Sequence, residues 1–140
     1  MKGRRILVVD DSAADRAALR IAFGRAGPEV ALAFAESARE ALALLRAPNA
    51  LRPQMMLVDV HMPGGSGLEL LGDLKRDERL RGIPVFMLSG SQDPRDVAAA
   101  YRGQACGFVA KPGDFESLRR FAELMARLCT EALDFPDGEA

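Results

Sequence analysis

One stretch decides the fold of this chain: Met55-Met56-Leu57-Val58-Asp59-Val60-His61-Met62-Pro63-Gly64-Gly65-Ser66-Gly67. Its apolar beginning is typical of a β-strand that is buried on both faces, as in a parallel sheet. The run ends at the carboxylate of Asp59, and the proline and glycines that follow predict a tight turn. A parallel strand that ends in this way places its carboxylate at the carboxyl edge of the sheet, where α/β proteins bind ligands.

Three other predicted strands share this feature, because each leads directly into polar or charged residues. They are residues 4–9, followed by Asp10 and Asp11; residues 85–88, followed by Ser89; and residues 107–110, followed by Lys111. A fifth, weaker strand is predicted over residues 29–35. If the strands are neighbours in one parallel sheet, their polar ends meet at one edge.

Helical patterns separate the five strands. Three have a capping-box signal, an N-terminal serine with an acid three residues later, and two begin after an aspartate: Ser12 with Asp15, Ser37 with Glu40, Ser66 with Glu69, then Asp93 and Asp114. Alternating strands and helices with right-handed crossovers predict the α/β class. We expect a three-layer, flavodoxin-like (βα)5 fold with a five-stranded parallel sheet of order 2-1-3-4-5.

Two predicted helices differ in their apolar content. The helix that begins after Asp93 is rich in alanine and poor in large apolar residues, so we expect it to pack lightly on the sheet. The last helix has a regular core face, formed by Leu118, Phe121, Met125 and Leu128. The tail over residues 134–140 is polar, and we expect it to fray.

Composition excludes several classes of protein. The 140 residues fit one domain, and 19 basic against 20 acidic residues leave no positive field for nucleic acid or membrane surfaces. The apolar run near the amino terminus is too short for a signal peptide or membrane span, so we expect a cytoplasmic protein. Cys106 and Cys129 are predicted to be small buried residues in a reducing compartment.

The strand-end residues together predict phosphoryl chemistry. Three carboxylates in one site repel each other unless a cation lies among them, and oxygen ligands with room for water suit Mg²⁺. Lys111 and the Ser89 hydroxyl can bind the oxygens of a transferred phosphoryl group, and a carboxylate can act as its acceptor. Asp59 is the better candidate for the acceptor, since it is single, central and followed by a tight turn.

The chain resembles a response-regulator receiver domain of bacterial two-component signalling over about residues 4 to 130. The resemblance rests on four motifs: Val8-Val9-Asp10-Asp11-Ser12, Asp59-x-x-Met62-Pro63-x-x-x-Gly67, Leu88-Ser89-Gly90 and Lys111-Pro112. It implies that Asp59 is the phosphoacceptor and that Asp10, Asp11, Asp59 and the His61 backbone carbonyl bind Mg²⁺. It further implies that Ser89 and Lys111 hold the phosphoryl oxygens, and that Ser89 and Phe108 form the switch.

The sequence departs from the family pattern at several positions. Phe108 lacks the hydroxyl of the more common tyrosine, so the switch would act through packing alone. Gly113 replaces a bulky apolar residue, which leaves the last loop freer. His61 and Ser91 occupy the positions that flank the attacking water in the family, and His61 is the only histidine of the chain. Its imidazole is either an exposed loop side chain or a group that positions this water.

The resemblance also implies partners. A sensor histidine kinase would donate the phosphoryl group, and finer similarities point to the small regulators that pair with phytochrome-like kinases. Residues 1–133 would form the receiver domain, without an effector domain. The output is then a protein contact: a homodimer, docking on a target, or relay to a histidine phosphotransfer protein. The expected surface is the fourth helix, fifth strand and fifth helix, including Tyr101, Leu124 and Cys129 on a face from Leu118 to Leu133. The alternative is that these side chains complete the core.

Three other functions compete with this interpretation. A haloacid-dehalogenase-type phosphatase also has an aspartate nucleophile with Mg²⁺, but it needs a second acid where Ser12 stands. A flavodoxin-like FMN binder needs a phosphate-binding loop after the first strand, where Asp10 and Asp11 would repel the phosphate. An unphosphorylated, receiver-like scaffold is the third alternative.

Overall fold

The computed structural model describes residues 4–27, 29–50, 52–62 and 65–132. Pro63 and Gly64 of the predicted turn, Leu133 and the tail 134–140 lie outside these residues. The five strands of the main sheet are β1 (Arg4–Val9), β2 (Val30–Ala35), β3 (Met55–Asp59), β6 (Val85–Ser89) and β7 (Gly107–Ala110). They pair in parallel in the order β2-β1-β3-β6-β7. Since β6 and β7 are the fourth and fifth predicted strands, this confirms the predicted order 2-1-3-4-5.

Helices cover both faces of this sheet, as the sequence predicts. They are α1 (Ala13–Ala26), α2 (Ala38–Arg46), α3 (Gly67–Arg76), α4 (Pro94–Arg102) and α5 (Phe115–Arg127), and a π-helical turn (Leu128–Ala132) extends α5. Two short antiparallel strands, β4 (His61–Met62) and β5 (Gly65–Ser66), form a hairpin after β3 that the sequence did not predict.

The central strand β3 divides the core into two clusters. Met56 and Val58 point to the cluster that includes side chains of α2 and α3, whereas Met55 and Leu57 point to the cluster of α1 and α5. All four side chains are fully buried, and each contributes about 1.5–3 kcal/mol through removal of apolar surface from water. Burial on both faces explains why the sequence of this strand is continuously apolar.

The helix caps are partly as predicted. Ser66 and Glu69 form a complete capping box on α3, with both hydrogen bonds at 3.1 Å. Ser37 accepts a hydrogen bond from the Glu40 amide, but the Glu40 carboxylate accepts from the Glu36 amide instead of closing the box, so that prediction was wrong in part. Ser12 caps α1 through the Asp15 amide at 3.1 Å.

Predictions about burial were correct in most places. Of the nine residues of α4 only Ala100 is buried, in agreement with its alanine-rich sequence. Phe121 and Met125 of α5 are buried, while Leu118 and Leu128 are half-buried against the same cluster. Cys129 is buried, but Cys106 is exposed, because it precedes β7 at the open edge of the sheet; the prediction that both are buried was therefore wrong.

Candidate functional site

The register of the sheet brings the predicted carboxylates together. Val9 of β1 pairs with Val58 of β3, so Asp10 and Asp59 follow at the same level of neighbouring strands. Asp59 is 6% exposed and Asp10 is 1% exposed, whereas Asp11 is exposed. One carboxylate oxygen from each of these three residues lies within 4.8 Å of the others.

The chain after β3 passes close behind Asp59. Gly67, the first residue of α3, donates a hydrogen bond to the Val60 carbonyl at 2.8 Å. A β-carbon at Gly67 would collide with the carbonyl oxygen of Asp59, so this position requires glycine. Gly67 therefore allows the start of α3 to pack against the end of β3, which carries Asp59.

Lys111 enters the site from the end of β7. Its Nζ atom donates hydrogen bonds to Asp59 Oδ2 at 3.2 Å and to Asp15 Oδ2 at 2.8 Å. It also lies 2.9 Å from Asp10 Oδ2. Its backbone amide bonds to the Ser89 carbonyl at 2.8 Å, which fixes the beginning of the loop. One ammonium group therefore neutralises part of the charge of three carboxylates.

The buried oxygen Asp10 Oδ2 has no hydrogen-bond partner of good geometry, although the Lys111 ammonium is close. A buried carboxylate oxygen without a donor is costly, since the charge is removed from water. A divalent cation would satisfy this oxygen and would relieve the repulsion among Asp10, Asp11 and Asp59. The donor set, all carboxylate oxygens with one residue open to solvent, fits a hard divalent metal.

The ionisation of Asp59 and Lys111 reflects this crowded environment. Burial raises the pKa of Asp59, the Lys111 ammonium opposes that shift, and the charge of Asp10 adds to it. Burial alone would lower the pKa of Lys111, but the carboxylates of Asp15, Asp10 and Asp59 raise it above its ordinary value. Lys111 therefore stays positively charged, whereas burial disfavours the negatively charged form of Asp59.

Ser89 lies at the predicted strand end, but its hydroxyl is bound by its own loop. The side chain is fully buried, donates to the Ser91 carbonyl and accepts from the Ser91 amide at 3.0 Å. The structure therefore brings Asp10, Asp11, Asp59 and Lys111 together and directs the Ser89 hydroxyl to Ser91, which is exposed.

His61 contacts two acids. Its backbone amide donates to Asp59 Oδ1 at 3.3 Å, and its imidazole Nε2 lies 3.2 Å from Asp96 Oδ2 in the first turn of α4. The imidazole is 60% exposed, so it agrees with an exposed loop side chain. The Asp96 contact was missed by sequence reasoning, because nothing in the sequence places the loop after β3 against α4.

Most of the chain matches one known protein family. Residues 6–123 match the model of the response regulator receiver domain. A probable methanogenesis regulatory protein of Methanothrix harundinacea, FilR2, is 35% identical over 84% of this chain and 78% of its own length. The chain belongs to the response regulator receiver domain family. Its members are signalling domains of two-component systems that bind a divalent metal.

Solved structures of receiver domains agree with this assignment. The phosphorylated cyanobacterial phytochrome response regulator RcpA has a TM-score of 0.89 at 24% identity, over 96% of this chain and 99% of that one. The Mn²⁺-bound form of Rcp1 from Synechocystis has a TM-score of 0.85 at 26% identity, over 95% and 99%. Two other curated relatives are longer, and this chain covers only 47% and 60% of their length.

Two further residues of the receiver domain reach the site from α1, and sequence reasoning did not assign them there. The Asp15 carboxylate binds Lys111. The Arg16 guanidinium donates to the Asp10 carbonyl at 2.7 Å and lies 3.7 Å from Glu36. The first turn of a helix that follows a strand end faces the same edge of the sheet, and this rule could have identified both residues.

The predicted switch and interface residues lie beside the sheet edge β7. Phe108 is half-buried against the cluster of α2 and α3, and its amide donates to the Tyr101 hydroxyl at 3.3 Å. Tyr101 and Leu124 are 53% and 56% exposed. Cys129 is fully buried, so its place on the exposed face was wrong and the alternative, that it completes the core, is correct.

None of the described helices is long and apolar enough to cross a membrane.

Proposed function

We propose that this receiver domain accepts a phosphoryl group on Asp59 from the phosphohistidine of a sensor histidine kinase. The observation that carries the proposal is the position of Asp59, which is almost buried at the end of β3, 3.2 Å from the Lys111 ammonium and beside two more carboxylates. This arrangement provides an acceptor, a cation for the phosphoryl oxygens and a ligand set for a metal.

In the transfer, a carboxylate oxygen of Asp59 forms a bond to phosphorus while the bond from phosphorus to the imidazole nitrogen breaks. The imidazole keeps the electron pair and takes up a proton, and the product is an acyl phosphate on Asp59. Asp10, Asp11, Asp59 and the His61 backbone carbonyl would hold Mg²⁺, which when bound would neutralise charge on the phosphoryl oxygens.

Lys111 and Ser89 would bind the phosphoryl oxygens after transfer. Lys111 already lies beside Asp59, whereas Ser89 must give up its hydrogen bonds with Ser91 to turn inward. This movement would release the loop before α4 and let Phe108 repack, as a shift between two arrangements of the same chain. The light packing of α4 supports it as the segment that moves.

The lifetime of the acyl phosphate would depend on His61 and Ser91, which flank the expected path of the attacking water. The His61 imidazole is open to solvent and lies 3.2 Å from Asp96, which places it beside the site. We expect His61→Ala to change the rate of dephosphorylation. An unchanged rate would show that only the backbone of His61 takes part.

The output would be a protein contact on the surface formed by α4, β7 and α5. Tyr101 on α4 and Leu124 on α5 are more than half exposed, and β7 is the open edge of the sheet. A homodimer on this surface is our first proposal, and relay to a histidine phosphotransfer protein is the alternative. The likeness to RcpA, described as a phytochrome response regulator, supports a phytochrome-like kinase as the donor.

The test combines intact mass with particle size. The protein is incubated with phosphoramidate and Mg²⁺, and its mass and its light-scattering molecular weight are followed together. We expect a gain of one phosphoryl group that omission of metal or Asp59→Asn abolishes, whereas Asp73→Asn in the last turn of α3 has no effect. If neither phosphoramidate nor a phosphorylated histidine kinase adds mass, the protein is an unphosphorylated scaffold and the proposal is wrong.

A further inference from the structure

Asp15 makes the shortest contact of the Lys111 ammonium. The distance from Lys111 Nζ to Asp15 Oδ2 is 2.8 Å with hydrogen-bond geometry, against 3.2 Å for Asp59. Asp10 lies 2.9 Å away, but its oxygen lacks a hydrogen bond of good geometry. The shortest contact of this lysine is therefore with the acid in the first turn of α1.

The local structure explains why Asp15 is available to Lys111. Asp15 occupies the position from which an acid can bind back to the amide of the N-cap residue, Ser12. That amide is already taken, because it donates to Asp10 Oδ1 at 2.9 Å. The Asp15 carboxylate is therefore not used by the helix cap, and it binds Lys111, which lies 96 residues further along the chain.

Asp15 acts on the lysine and does not belong to the carboxylates that can share a metal. Among the described residues, the group that could hold an ion contains Asp10, Asp11 and Asp59. The side chain of Asp15 is 48% exposed, whereas that of Lys111 is 22% exposed. A carboxylate with this much access to water can exchange its partner at little cost, since exposed ion pairs contribute only about 0–1 kcal/mol.

We propose that Asp15 is a positioning residue that competes with the phosphodonor for the Lys111 ammonium and thereby weakens donor binding. An ammonium has three N–H donors, and two of those of Lys111 are bound to Asp15 and Asp59. Asp10 lies 2.9 Å from the same nitrogen, so carboxylates surround the ammonium. Asp15 is the most exposed of the three, so a phosphoryl oxygen would displace it first, and its negative charge also repels an anionic donor. This inference rests on the proposed function of Asp59.

Donor saturation kinetics test the inference. The initial rate of Asp59 phosphorylation is measured against phosphoramidate concentration at fixed Mg²⁺ for the native protein and Asp15→Asn. We expect the half-saturating donor concentration to fall about twofold to fivefold in the variant, with a maximal rate within about twofold of native. Asp15→Glu keeps the charge and should restore the native value, and Asp73→Asn is the distant control.

A spectroscopic readout accompanies the kinetics. The chain has three lysines, so the ammonium ¹H–¹⁵N signal of Lys111 can be assigned by comparison with Lys111→Arg. It should shift in Asp15→Asn and stay unchanged in Asp73→Asn. If Asp15→Asn does not fold, Asp15→Ser replaces it with the same expectations.

An unchanged or higher half-saturating concentration, or a maximal rate that falls more than twofold, would overturn the role of Asp15 and leave Asp59 as the acceptor. Failure of the native protein to gain mass from both phosphoramidate and a phosphorylated histidine kinase would overturn the proposed function itself. The two failures are therefore distinguishable.

Discussion

The two helices that flank the edge strand β7 are held very differently. Of the residues of α5, Phe121, Ala122, Met125 and Ala126 are buried, whereas α4 buries only Ala100. The helices also belong to different sides of the sheet, because Ala100 packs in the cluster of α2 and α3 and α5 packs with α1. This difference indicates that one side of the proposed phosphorylation site is firmly packed, whereas the other side can move more easily.

The polar contacts follow the same division. On the α1 and α5 side, Lys111 lies against Asp10 and Asp59, which are shielded from water, in addition to the half-exposed Asp15. On the α4 side, the contacts are the half-exposed pair His61 and Asp96 and the bond from the Phe108 amide to the Tyr101 hydroxyl. Contacts that water can replace cost little to break, so α4 can change position without loss of the fold.

The largest effect should come from the core face of α5. Phe121→Ala removes a ring that is 8% exposed, and we expect it to lower the free energy of unfolding by about 3–5 kcal/mol in urea denaturation. The matched change on α4, Val97→Ala, removes a half-buried side chain and should cost about 1 kcal/mol or less. Equal losses for the two variants would contradict the difference between the helices.

A smaller effect is expected from Asp59 in the metal-free protein. Its pKa is raised in the folded state above 3.8, mainly by burial, so the folded state binds the proton more tightly than the unfolded state. The stability from this proton is fully present below pH 3.8 and is lost as pH rises through the folded pKa. Asp59→Asn should therefore be more stable than native at pH 7.5 in EDTA.

This stability difference between Asp59→Asn and the native protein should shrink as the pH approaches 4. Urea denaturation of both proteins across this range measures it. A difference that does not depend on pH would show that the burial of Asp59 does not control its charge.

The smallest effect should come from Tyr101→Phe, which removes the hydroxyl that accepts from the Phe108 amide at 3.3 Å. Because Tyr101 is 53% exposed, water can replace the hydroxyl, and we expect a loss of about 0.5 kcal/mol. The exchange of the Phe108 amide hydrogen should become faster, while that of Lys111, bound to Ser89, should not change. Unaltered exchange at Phe108 would mean that Tyr101 does not protect the sheet edge.

The fold could be predicted from the sequence because local signals and the global arrangement agree. Strand ends at Asp10, Asp59, Ser89 and Lys111 set the site, and alternating helices and strands set the order of the sheet. The remaining details of the site depend on competition between alternative hydrogen-bond partners within the chain. The bonds from the Ser12 amide to Asp10 and from the Ser89 hydroxyl to Ser91 each join residues two apart, but the sequence does not show that they win over the capping box and the site.

Exposure was harder to predict than secondary structure. Cys106 and Cys129 have the same chemistry, but one precedes the open edge strand and the other extends the helix that packs against α1. His61 similarly gains Asp96 as a partner because the loop after β3 and the first turn of α4 lie side by side. These outcomes follow from tertiary contacts that no short motif encodes.

The central claim is that phosphorylation of Asp59 changes the packing of α4 and leaves α5 in place. Hydrogen exchange of the peptides from α4 and α5, measured with and without phosphoramidate and Mg²⁺, tests it most directly. We predict that exchange changes in α4 and in the loop after Ser89, stays constant in α5, and does not respond in Asp59→Asn. Full phosphorylation with an equal change in both helices, or with no change in either, would contradict the account.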